Sequence, residues 1–114
     1  LTVLAKDIKA KPDEVKRVIR AMQGAKEIMR KSKEKSVELM TRILKMDQET
    51  AVSTYKVFLK TLSPDGIPSR AGMENLVKSI QAQGRFVDKK PAFSDLADDR
   101  LAREVAKELG YKVQ

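Results

Sequence analysis

Residues 61–76 read TLSPDGIPSRAGMENL and hold two of the four prolines and two of the five glycines of the chain. Ser63 to Gly66 reads as a type I turn. Pro64 stands at the second position, where its φ is already set, and Gly66 at the fourth. Pro68 and Ser69 then restart a helix, with Ser69 as its cap. As a phosphate cradle the stretch fails, because it follows a helical pattern and lacks Gly-Lys-Ser/Thr. As a calcium loop it offers Asp65 alone, where several oxygen ligands at alternate positions are needed. The stretch therefore reads as a joint between helices, and that reading makes the chain mainly α.

Upstream of the joint, KPDEVKRVIRAMQGAKEIMRK opens with Pro12 at a first helical position and with Asp13 and Glu14 at the positive end of the helix dipole. Val15, Val18, Ile19, Met22, Ala25 and Met29 recur at helical spacing as one stripe, and Lys16, Arg17, Arg20 and Lys26 fall away from it. Gly24 is a mild cost within this helix. Ser32 can cap a second helix with Val37, Met40, Ile43 and Leu44 on its stripe. Asp47 caps a third, with Ala51, Val52, Tyr55, Leu59 and Leu62 on one face. The junctions are very short, so neighbouring helices should pack together. Downstream, Met73, Leu76, Val77 and Ile80 mark a helix that stops at Gly84. RFVDKKPAFSDLAD is a connector around Pro91 with room for a short extended piece. Leu101, Val105 and Leu109 mark a last helix ending at Gly110. The opening LTVLAKDI reads as one strand, which needs a partner from another chain or a further segment. The expectation is one helical domain over residues 1–114, with about five helices and at most one or two short strands.

The composition, 41% hydrophobic and 35% charged, is too apolar for disorder and too charged for a membrane protein. No run approaches the roughly 20 apolar residues of a membrane span. The chain opens at Leu1 without a visible signal peptide, which reads as a cut start. It has no Cys, so disulfides, thiol nucleophiles and zinc–thiolate sites are excluded. It has no His, the commonest general base and transition-metal ligand. The reading is therefore not an enzyme, with no catalytic residue, cofactor or metal assigned. Asp95, Asp98, Asp99 and Glu104 are the one carboxylate group that invites metal or acid–base chemistry, but acids at a helix start stabilise its dipole end instead. Tyr55 and Phe58 are candidates for a pocket lining, yet Tyr55 lies on the core stripe.

The net charge of +8 is uneven: residues 1–45 carry 13 Lys/Arg against 6 Asp/Glu. Such asymmetry raises nucleic acid as a partner. The candidate face is Lys16, Arg17, Arg20, Arg30 and Lys33. It has interleaved acids and no aromatic residues, so a solvated face is the plainer reading. A membrane-surface helix would carry bulky Trp, Phe or Leu, and this one carries Val, Ile and Met.

The order of motifs resembles the C-terminal part of periplasmic substrate-binding proteins of ABC importers, of the nitrate, sulfonate and taurine type that includes thiamine-pyrimidine-precursor binders. The matching pieces are P-D/E-x-V at Pro12, L-K-M-D at Leu44 to Asp47 and A-x-x-x-Y at Ala51 to Tyr55. S-P-D-G-x-P at Ser63 to Pro68, G-x-x-x-L at Gly72 to Leu76 and S-D-L-A-D at Ser94 to Asp98 follow. The likeness spans roughly residues 3 to 110. It implies a fragment of a two-lobed α/β protein, extracytoplasmic, whose whole form captures a small anionic or heteroaromatic solute for a membrane permease. Ligand contacts in that family come mostly from segments absent here, so no ligand-binding residue carries over. Helix faces that pack on the missing lobes would be exposed, and self-association, through Leu1 to Ala5, is expected. The alternative is a small basic helical module that binds nucleic acid through the first two helices.

Overall fold

The computed structural model describes residues 2–113. Seven helices hold them: α1 (Ala5–Ala10), α2 (Pro12–Lys31), α3 (Lys33–Leu44), α4 (Gln48–Thr61), α5 (Arg70–Ala82), α6 (Phe93–Leu96) and α7 (Arg100–Glu108). The fold is mainly α, and no strand occurs among the described residues. The helices gather into two compact units, residues 1–64 and residues 65–114. The division falls between Pro64 and Asp65, inside the stretch that reads as a joint.

The strand expected over LTVLAKDI is not formed. Thr2 to Leu4 are irregular, and Ala5–Ala10 is helical. Two physical reasons favour the helix. Ala and Lys are strong helix formers, and a lone strand would leave its backbone groups without a ladder. Here Leu4 O accepts instead from Asp7 N and Ile8 N, at 2.9 and 3.2 Å. Leu1, part of both the strand expectation and the self-association expectation, lies outside the described residues.

In the first unit Pro12 opens α2 as its first residue, with Asp13 and Glu14 in the first turn. Ser32 separates α2 from α3, but its hydroxyl caps nothing. Its carbonyl accepts from Ser36 N at 3.0 Å and Ser36 Oγ at 2.8 Å. Lys45, at φ 56°, ends α3 in the left-handed region, and Asp47 then caps α4 by accepting from Thr50 N at 2.9 Å and Thr50 Oγ1 at 2.6 Å. Val37 and Met40 of α3 meet Ala51 and Tyr55 of α4 as the buried core, with Met29, Met46, Val52 and Leu59 packed against it.

The buried face of α2 differs from the expected stripe. Gln23 and Lys26 are buried, whereas Val18 and Met22 are 48% and 52% exposed. Gln23 and Lys26 stand one residue on from Met22 and Ala25, a rotation of about 100°. The two buried residues of α2 are thus polar, Val15, Ile19 and Met29 are half-buried, and Val18 and Met22 of the apolar stripe stand largely outside. Lys26, expected to point away, is corrected by this rotation.

In the second unit Ser69 caps α5, accepting from Gly72 N at 3.0 Å. Two helices end as the sequence predicts. After α5, Gly84 at φ 77° donates to Gln81 O at 2.9 Å while Arg85 N donates to Ile80 O at 3.3 Å. After α7, Gly110 at φ 80° donates to Lys107 O at 3.0 Å while Tyr111 N donates to Ala106 O at 2.9 Å. Both are Schellman closures, which need a left-handed residue at the glycine. The connector contains the one-turn helix α6 rather than an extended piece. Asp95 starts it by accepting from Ala92 N at 2.8 Å. In α7 Val105 and Ala106 are fully buried, whereas Leu109, just past its end, is exposed.

Candidate functional site

Lys16 and Arg20 are four apart on α2, and Arg17 and Arg20 three apart, so these three share one flank of the helix. Arg17, Arg20 and Lys33 are exposed, and Lys16 is half-buried. Among the described residues, Arg17 and Lys33 make no ion pair. Arg30 is committed elsewhere. Its Nη2 donates to Leu62 O at 3.4 Å and Ser63 O at 3.3 Å, and its Nη1 lies 3.8 Å from a Glu27 carboxylate oxygen. The five cations proposed from sequence are therefore not one continuous face. Lys16, Arg17 and Arg20 remain together, Arg30 is spent on backbone carbonyls, and Lys33 sits beyond the break at Ser32.

Those carbonyls belong to a device that sequence reading missed. Lys26 Nζ donates to Pro64 O at 3.0 Å. Lys26 and Arg30, four residues apart, thus hold three successive carbonyls, Leu62 to Pro64, just past the end of α4. A helix leaves its last four carbonyls without intrahelical partners, and its C-terminal end carries partial negative charge. Two cations just past that end complement its partial charge, while the carbonyls they hold belong to the residues that follow α4. The same helix pair is tied a second time: Tyr55 Oη donates to Met29 O at 2.7 Å. Met29 lies within the last turn of α2, so its carbonyl is one that α2 itself cannot pair. A Lys and an Arg at i and i+4 were visible in the sequence, but only the fold shows which carbonyls they reach.

Tyr55 is 4% exposed and belongs to the core, so it lines no pocket, and Phe58 is 41% exposed. The joint bends at Leu62 and again from Pro64 to Gly66. Gly66 takes φ 75°, and Asp65 Oδ1 accepts from Ile67 N at 3.0 Å, a local use of the one acid in the loop.

The acidic group near α7 is distributed among local partners. Asp98 binds Arg100 through two charged contacts, Nε at 2.9 Å and Nη2 at 2.6 Å. That hydrogen bonding holds the Asp98 carboxyl down at about 2, against the opposing effect of desolvation. Asp99 does not cap α7 with its side chain. It pairs with Arg103 at 2.7 Å. With Asp95 on Ala92 N, these acids organise helix ends and ion pairs. Among the described residues no three His, Cys, Asp or Glu side chains are placed to hold a metal ion, and no helix is long and apolar enough to cross a membrane. The chain matches no family model, no curated protein and no solved structure.

Proposed function

We propose that this chain is the C-terminal helical portion of an ABC-importer solute-binding protein. In that role it packs against the lobes that capture a small anionic or heteroaromatic solute outside the cytoplasm, and performs no chemistry itself. The observation that carries the proposal is the uncovered apolar stripe of α2. Val18 and Met22 lie four apart, half-exposed, on a helix whose two buried residues, Gln23 and Lys26, are polar. A stripe of this kind asks for an apolar partner, and a lobe of a larger protein supplies one. The order of helix punctuation supports the same reading: Pro12 opening α2, Asp47 capping α4, the joint at Ser63 to Pro68, and Ser69 capping α5. In the whole protein the partners would be the solute and the membrane permease.

The test is the coding sequence upstream of Leu1. The proposal expects a signal peptide and about 200 residues of βαβ pattern, the length two lobes require. A start codon immediately before Leu1 would overturn it. The nucleic-acid reading has its own measurement, a salt-dependent mobility shift with mixed DNA or RNA. With Arg30 withdrawn from the face, the shift is expected to be absent.

A further inference from the structure

The second unit contains a groove that neither reading of the function uses. It is a depression open to solvent, about 520 Å³ between α5 and residues 89–96. Ligand pockets fall at roughly 300–1,000 Å³. One wall is a single face of α5: Arg70, Met73, Val77 and Gln81 recur at helical spacing. The opposite wall runs antiparallel to it, and two contacts fix that direction. At one end the Arg70 guanidinium lies 5.0 Å from the centre of the Phe93 ring. At the other end Gln81 Nε2 donates to Lys89 O at 2.7 Å and to Phe86 O at 3.2 Å.

This arrangement gives the groove a polarity. Lys78, Lys89 and Lys90 gather at the Gln81 end, all exposed and, among the described residues, none in an ion pair. Met73 and Val77 line the middle with Pro91 and Leu96, and the Phe93 ring closes the far end. Glu74 is the one acid on the walls, so the lining carries four cations against one anion, a net of +3. From Lys78 to Arg70 the helix wall is eight residues long, about 12 Å. Three of the four cations stand at the Gln81 end, and Arg70 is stacked on Phe93 at the other. The three-lysine end attracts an anion whose body is apolar, because the head is paired while the tail leaves water.

We propose that this groove binds a small amphiphilic carboxylate, its head at Lys78, Lys89 and Lys90 and its tail along Met73 and Val77 toward Phe93. The proposal does not depend on the solute-binding-protein reading, since every residue named lies in residues 70–96. Calorimetric titration of the full chain with decanoate, kept below its micelle concentration in low salt, is the test. Saturable binding of one decanoate per chain is expected. Lys78→Glu/Lys89→Glu/Lys90→Glu should weaken it at least tenfold. Phe93→Ala should weaken it several-fold by shortening the apolar contact. Circular dichroism checks that both variants keep their helices. Acetate, which lacks the tail, and decyltrimethylammonium, which inverts the charge, should give no saturable heat. The proposal is overturned by the absence of decanoate binding, by equal binding of the cationic analogue, or by wild-type affinity in the triple-lysine variant. Tight binding of an acidic amphipathic peptide in the absence of decanoate binding would equally overturn it, in favour of a protein partner.

Discussion

Tyr55 carries two duties that substitution can separate. Its ring fills the core of the first unit, and its hydroxyl satisfies Met29 O. Tyr55→Phe keeps the ring and leaves that carbonyl unpaired, a loss of roughly 1–2 kcal/mol. Tyr55→Ala removes both and should cost about 3–5 kcal/mol. Urea unfolding with an unchanged slope would measure each. A Phe variant as stable as the parent would show that water replaces the hydroxyl. Asp98 gives a pH prediction at the same scale. Its carboxyl is lowered from 3.8 to about 2 by the Arg100 side chain. A carboxylate lowered in the fold contributes stability above its unfolded value, and that contribution is lost as pH falls from 3.8 toward 2. A carboxyl NMR titration should place the Asp98 midpoint near 2, and Arg100→Gln should return it toward 3.8. Residues of these two kinds differ in how well sequence discloses them. Asp98 precedes its partner by two positions, so proximity was implicit. Tyr55 and Met29 are 26 apart, and nothing local links them.

At the scale of the element, what is readable is what depends on neighbours in the chain. Pro12, Asp47, Ser69, Gly84 and Gly110 act within one turn of where they stand, and each marks a helix end in the structure. The left-handed end of α3 at Lys45 was not readable, because nothing about lysine favours that conformation. Nor was the inward face of α2, since periodicity finds the apolar stripe while tertiary packing chose the face beside it. Two glycines test the element-level account. Gly24 sits inside α2 with nothing within 4 Å of an added Cβ. Gly24→Ala should therefore stabilise by about 0.5–1 kcal/mol. Gly72 is also helical, but an added Cβ would stand 2.8 Å from Ser69 Oγ. The hydroxyl would have to leave Gly72 N, and losing that cap costs about 1 kcal/mol, offsetting the helix-propensity gain. Thermal melts should show a higher midpoint for the first variant and little change for the second. Equal gains in both would show that the Ser69 hydroxyl does not hold α5.

At the scale of the whole molecule, the apolar residues left outside are the main consequence of the packing. Val18, Met22 and Ile28 on α2, Ile43 and Leu44 on α3 and Val57 on α4 are each about half exposed or more. Without a covering lobe these surfaces should associate with one another. Light scattering of the 114-residue chain is expected to show dimers or larger species, and Val18→Lys/Met22→Lys should shift them toward monomer. A clean monomer of the parent chain at high concentration would count against the uncovered stripe as a docking surface. The helical class of the molecule was legible from its punctuation. The division at Pro64 was legible only as a break, since compact units are defined by long-range packing that no motif reports.

The clasp at the end of α4 also separates the lysines by chemistry. Lys26 is only 7% exposed and its amine rests on Pro64 O, whereas Lys33, Lys45, Lys78 and Lys90 stand in solvent. A reagent that labels amines, applied to the folded chain, should modify the solvated lysines quickly and Lys26 last. The time course at Lys26 would then report how often the clasp opens, a readout of local motion from a single side chain.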